Sequence, residues 1–108
     1  MIIEIGSLWT PAHRAIESND ADELARLLDS GIDPNEECYG MTLLAHAVDY
    51  EADTAIQADR DMGVTLIAIL LAYGASPQIP GSGGKTPMDF AADYQHVLAE
   101  RLLSRFIL

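Results

Sequence analysis

Three stretches of this chain repeat one pattern: Thr10-Pro11-Ala12-His13-Arg14-Ala15, Thr42-Leu43-Leu44-Ala45-His46-Ala47 and Thr86-Pro87-Met88-Asp89-Phe90-Ala91. Each opens with Thr, follows with Pro or Leu, and sets Ala five residues after the Thr. A second pair of stretches matches further on, Leu27-Leu28-Asp29-Ser30-Gly31-Ile32-Asp33-Pro34-Asn35 with Leu70-Leu71-Ala72-Tyr73-Gly74-Ala75-Ser76-Pro77-Gln78. From Thr to the Leu-Leu pair is 17 residues in the first unit and 28 in the second, so the second unit holds an insertion of 11 residues, in or near 49–62. Without it the period is about 33 residues, the length of a repeat unit that cannot bury its apolar face alone and must stack on its neighbours.

The residues within each unit argue for two helices and a turn. Thr followed by Pro11 or Pro87 is the order of an N-cap and a first helical residue, and Gly31 and Gly74 follow apolar runs where a left-handed C-cap ends a helix. Leu24, Leu27 and Leu28 share one helical face, as do Leu66, Ile67, Leu70 and Leu71, and then Leu98, Leu102 and Leu103. On these residues the chain resembles the ankyrin repeat family, over about residues 8 to 103. The first unit matches the family's spacing at Thr10, Pro11, His13, Ala15, Leu24, Leu27, Leu28, Gly31 and Asn35. The second unit departs with Leu43 and Ala45 in place of Pro and His, and the third with Asp89 in place of His. The resemblance implies an all-α fold, an α-solenoid of about three helix-turn-helix repeats spanning 8–39, 40–83 and 84–108 in one domain of 1–108. The insertion is then either an extension of the middle repeat's first helix or an acidic flap. The apolar termini, Met1 to Leu8 and Arg105 to Leu108, are expected to pack onto the end repeats.

Composition narrows the function. With 6 Lys+Arg against 17 Asp+Glu the net charge is -11, which repels phosphate backbones and anionic lipid, so neither nucleic acid nor membrane is expected as a partner. The longest apolar run, 63–75, is too short to span a bilayer. The start has no basic segment ahead of a long apolar one, and the single Cys38 has no partner for an internal disulfide; the expectation is a cytoplasmic protein.

Chemistry-bearing patterns fail on spacing. Gly81-Ser82-Gly83-Gly84-Lys85-Thr86 looks like a phosphate loop, but Ile79 stands where the first Gly belongs, and the repeat already explains these residues as a turn. Asp49-Tyr50-Glu51-Ala52-Asp53 begins like a calcium loop, yet the sixth position is Thr54 and the twelfth Arg60. His13, His46 and His96 fall one per unit without cysteine or carboxylate at ligand spacing, so no metal is expected. The resemblance implies that His13 hydrogen-bonds the turn between repeats. Cys38 lies beside Glu36 and Glu37, which disfavour a thiolate, so neither catalysis nor a cofactor is expected.

What remains is a surface. Residues 17–61 carry 13 acidic residues against Arg26 and Arg60, the whole net charge, while the rest of the chain balances. Such a face either keeps a small protein soluble or steers a basic partner. The resemblance implies partner contacts at the turn tips before each Thr and at exposed positions of each first helix. These are Trp9, Arg14, Glu17 and Ser18; Tyr39, Met41, His46, Asp49 and Tyr50; and Lys85, Phe90, Asp93 and Tyr94, with Glu51 and Asp53 added by the acidic insertion. Five of the seven aromatics fall on these positions, although Trp9 and Phe90 fit equally well between repeats. The expected function is non-catalytic protein binding: an acidic inhibitor or immunity-type protein that sequesters a basic partner such as a toxin. The alternative is a self-assembling scaffold or adaptor subunit; a monomer or weak homodimer is expected.

Overall fold

A computed structural model describes residues 8–107. It is mostly helical. The elements run α1 (Pro11–Glu17), α2 (Ala21–Asp29), β1 (Glu37–Cys38), β2 (Met41–Thr42), α3 (Leu43–Gln57), α4 (Thr65–Ala72), α5 (Pro87–Asp93) and α6 (Val97–Ser104). The two short strands pair antiparallel, Glu37 with Thr42 and Cys38 with Met41, an element the all-helical expectation did not contain.

Each repeated threonine starts a helix. The side-chain oxygens of Thr10, Thr42 and Thr86 accept from the amides of His13, Ala45 and Asp89 at 3.3, 3.2 and 3.1 Å. At Thr86 the bond is reciprocal, since Asp89 accepts from the Thr86 amide at 2.9 Å. The same hairpin of helices is closed three times by one non-glycine residue in the left-handed region: Asn19, Asp59 and Gln95, with φ of 52, 52 and 55°. In each, the next amide reaches back to a buried alanine carbonyl, Asp20 to Ala15, Arg60 to Ala55 and His96 to Ala91, all at 2.9 Å. Backbone geometry therefore repeats even where the residues do not.

The helices form two layers. α1 packs on α3 and α3 on α5; α2 packs on α4 and α4 on α6; and each pair α1–α2, α3–α4 and α5–α6 crosses between the layers. Between them lie Ile16, Leu24, Leu43, Leu44, Val48, Leu66, Ile67, Leu70 and Leu103, fully buried or nearly so. At roughly 1.5–3 kcal/mol for each buried large aliphatic side chain, this seam is the main stabilising term.

The insertion lengthens a helix. α3 has 15 residues where α1 and α5 have 7, and what is left over becomes the connection 58–64. The first turn of the second unit also touches the last. The Gly83 amide donates to the Gly40 carbonyl at 3.2 Å, the Ser82 amide donates to the Glu37 carboxylate, and a Cβ on Gly81 would lie 1.9 Å from the Gly40 carbonyl oxygen.

Two expectations about apolar faces are corrected. His96 caps α6 by accepting from the Ala99 amide, and this turns Ala99 and Leu103 inward while leaving Leu98 52% exposed. Phe106 and Ile107 do not pack onto the last repeat; they are 44% and 37% exposed. Residues 1–7 and 108, also expected to pack, lie outside the described residues.

Candidate functional site

The outward side of the α1–α3–α5 layer gathers most of the residues singled out from the sequence. Trp9, half-buried ahead of α1, stacks on His46 at 4.5 Å and on His13 at 5.6 Å between ring centres, and meets the half-exposed Tyr39 edge-on at 4.9 Å. Arg14 is exposed and donates to the Trp9 carbonyl at 3.4 Å. Ser18, also exposed, closes the end of α1. Glu17 keeps 42% of its side chain exposed while accepting from Nε2 of His46 at 2.6 Å, a link from α1 to α3. The next link runs from α5 to α3, where the Tyr94 hydroxyl donates to Asp49 at 2.7 Å. Burial and the Asp49 carboxylate together push the Tyr94 phenol well above its ordinary range. Lys85 pairs with Asp93 and lies 5.3 Å over the Phe90 ring. The exposed carboxylate of Asp93 holds the Lys85 ammonium above its ordinary range.

Other members stand apart. Met41 is half-buried in β2, Tyr50 and Phe90 pack against the core from partly exposed positions, and Asp53 accepts from Gln57 one turn along α3.

Two predicted contact residues are not on the surface. His46 is fully buried, because it points toward α1, where Trp9 covers its ring and His13 meets its Nδ1. Glu51 is only 8% exposed, and its Oε1 accepts from the Leu66 amide at 2.7 Å. The reason is that α4 begins after Val64, which has no capping side chain; the Glu51 carboxylate supplies the missing acceptor and the negative charge that a helix start favours. Burial pushes its carboxyl above the usual range, opposed by the amides of Leu66 and Ile67. Its Oε2 has no hydrogen-bond partner.

The sequence reading missed the pairing of the histidines. Nδ1 of His13 and Nδ1 of His46 lie 2.8 Å apart in the core of the α1–α3 contact, and Nε2 of His13 faces the Glu36 carbonyl at 3.4 Å. The expected bond from His13 to the turn is thus the longer of its two contacts. A signal was available: the two residues are 33 apart, one repeat period, so stacking brings them together. Burial, with His46 beside it, lowers the pKa of His13 to about 4. Burial lowers His46 also, although Glu17 and Asp49 pull the other way.

Cys38 is half-buried in β1, its thiol directed to the Leu8 carbonyl at 3.9 Å. Three clefts of about 200, 210 and 500 Å³ lie by α1–α2, between α3 and the start of α4, and along α6; none of the three is lined by a histidine. Among the described residues no helix is long and apolar enough to cross a membrane. No family model matches the chain, and no curated protein matches it.

Proposed function

We propose that this chain is a non-catalytic, ankyrin-type binding module that holds a basic protein against the α1–α3–α5 side, as an inhibitor sequestering one target would. The observation that carries the reading is that the carboxylates there are anchored. Glu17 is tied to α3 through His46, whose ring stacks on Trp9, and Asp49 to α5 through Tyr94, while both stay partly exposed. Anchored charges lose little conformational freedom on binding, and aromatic neighbours supply apolar contact at low entropic cost. The excess of 13 acidic residues against 2 basic ones in 17–61 adds long-range attraction for a cationic target, whose association it would speed. A nucleic-acid-cleaving toxin is the kind of protein whose basic cleft such a surface fits.

The test is capture of a partner from native extract at low salt, then elution with salt. One basic protein released by salt, whose association slows about tenfold when Glu17, Asp49 and Asp53 are reversed to Lys, is the expected result. Association unaffected by both salt and reversal would sink the reading. A second reading, self-assembly, has its own observation: Val97, Leu98 and Phe106 are 62%, 52% and 44% exposed along one end. A monomer by light scattering at high concentration removes it.

A further inference from the structure

Four ring nitrogens lie in one line of contacts. It runs from the Glu36 carbonyl to Nε2 of His13 at 3.4 Å, from Nδ1 of His13 to Nδ1 of His46 at 2.8 Å, and from Nε2 of His46 to Glu17 at 2.6 Å. Both ends of the line are oxygens that only accept, so each outer nitrogen must carry a hydrogen to bond, and the inner contact needs one hydrogen between two nitrogens. The completed line takes three hydrogens on two imidazoles, one more than two neutral rings hold. With two hydrogens, the short contact to the carboxylate and the inner contact use both. Nε2 of His13 is then bare, and its contact is the long one. A fourth hydrogen has no place, because two N–H groups would face each other across 2.8 Å.

The count fixes the charge of the cluster. Two neutral rings with the Glu17 carboxylate carry -1; the pair with its extra proton, and the same carboxylate, carry zero. We propose that the His13–His46 pair is a one-proton switch on the docking side: a proton taken up at Nε2 of His13 cancels the charge that Glu17 offers to a lysine or arginine of the partner, so docking weakens in acid. The inference rests on the basic-partner reading above and names how that surface is regulated.

Charged and titratable groups face the pair from each element packed around it. From α1, Arg14 reaches the Trp9 carbonyl. On the connection ahead of β2, the Glu36 carboxylate accepts from the Thr10 hydroxyl, and Cys38 and Tyr39 stand in the turn beyond it. From α3, Asp49 holds the Tyr94 phenol, and at α5 Lys85 is held by Asp93. The burial that lowers both histidines places proton uptake below the ordinary 6.5 and, for His13, down to about 4.

The test joins nitrogen-15 NMR of the histidines with binding of a ten-lysine peptide, by the whole protein and by Glu17→Gln, at pH 7 and pH 4. Glu17 is partly exposed and Gln keeps an oxygen for His46, so the variant leaves the fold in place. Expected are a nitrogen–nitrogen coupling across the inner contact, uptake of one shared proton by the pair, and a loss of peptide affinity at pH 4 about twofold larger than in Glu17→Gln. Two rings that titrate independently would overturn the switch, as would equal pH dependence in both proteins. Peptide bound equally well at both pH values sinks the switch alone, whereas no binding at either pH sinks the basic-partner reading with it.

Discussion

Glu51 shows how far a residue's type can mislead about its place. In a stretch with Asp49 and Asp53 it reads as one more surface acid, yet it is the acceptor that α4 lacks, and nothing within 64–72 announces that need except the absence of a capping residue at Val64. Replacing Glu51 by Ala removes the acceptor from a buried helix start and should cost about 1–3 kcal/mol, read from urea unfolding. The histidines fix the sign of the acid response. Because His13 and His46 have folded-state pKa values below that of the unfolded chain, their contribution is intact above pH 6.5 and is lost as pH falls below it, for His13 down to about 4. For His13 the full loss is on the order of 3 kcal/mol, and a series of unfolding midpoints between pH 7 and 4.5 would show it. At Gln95 the cost is conformational: a φ of 55° suits glycine better, so Gln95→Gly should raise the melting temperature by a few degrees. By contrast, the capping roles of Thr10 and Thr86 were legible, because an N-cap acts only on its own next three residues.

At the scale of elements, what could be read from the chain was whatever is local. Leucine spacing placed α2 and α4, and the Leu-Leu-x-x-Gly pattern placed their ends, where Gly31 and Gly74 adopt φ of 101 and 95°. The phase of α6 was not legible, because it depends on His96, whose Nε2 donates to the Gly63 carbonyl from another unit at 2.8 Å while its Nδ1 caps the helix. Nor could the sequence choose between a longer α3 and a flap; Ala52 and Ala55, buried against neighbouring elements, decide it for the helix. The strand pair depends on a crossing turn. Gly81→Ala would drive a methyl group into the Gly40 carbonyl, so a loss of more than about 2 kcal/mol is expected, with earlier hydrogen exchange at the amides of Ser82 and Gly83. Leu66→Ala, in the seam between layers, should cost about 2–5 kcal/mol by thermal unfolding.

For the whole molecule, charge and layering act together. The two-layer packing sets α1, α3 and α5 side by side, which is why residues from three units meet on one side and why Glu17 and Asp49, 32 positions apart, both lie near His46. The candidate surface was therefore legible in outline once the period was found, while its two buried members were not, since a period gives neighbours but not which way a side chain turns. Self-repulsion among the acidic residues of 17–61 has a measurable consequence. Raising salt from 20 to 200 mM should stabilise the free protein, by about 1 kcal/mol or less, while weakening its hold on a basic partner; a shift of both in the same direction would contradict the assignment of that surface.

The dependence of α4 on a carboxylate from α3 also has a meaning in time. Thr65 to Ala72 is a sticky run with no start signal of its own, and its first amides find their acceptor only when the far half of α3 is already wound and Glu51 has left water. The expected order of assembly follows from one side chain: α3 winds first and the apolar run of α4 docks on it afterwards. In a kinetic experiment, Glu51→Ala should mainly speed unfolding and slow folding little, the behaviour of a residue whose contact is made after the barrier.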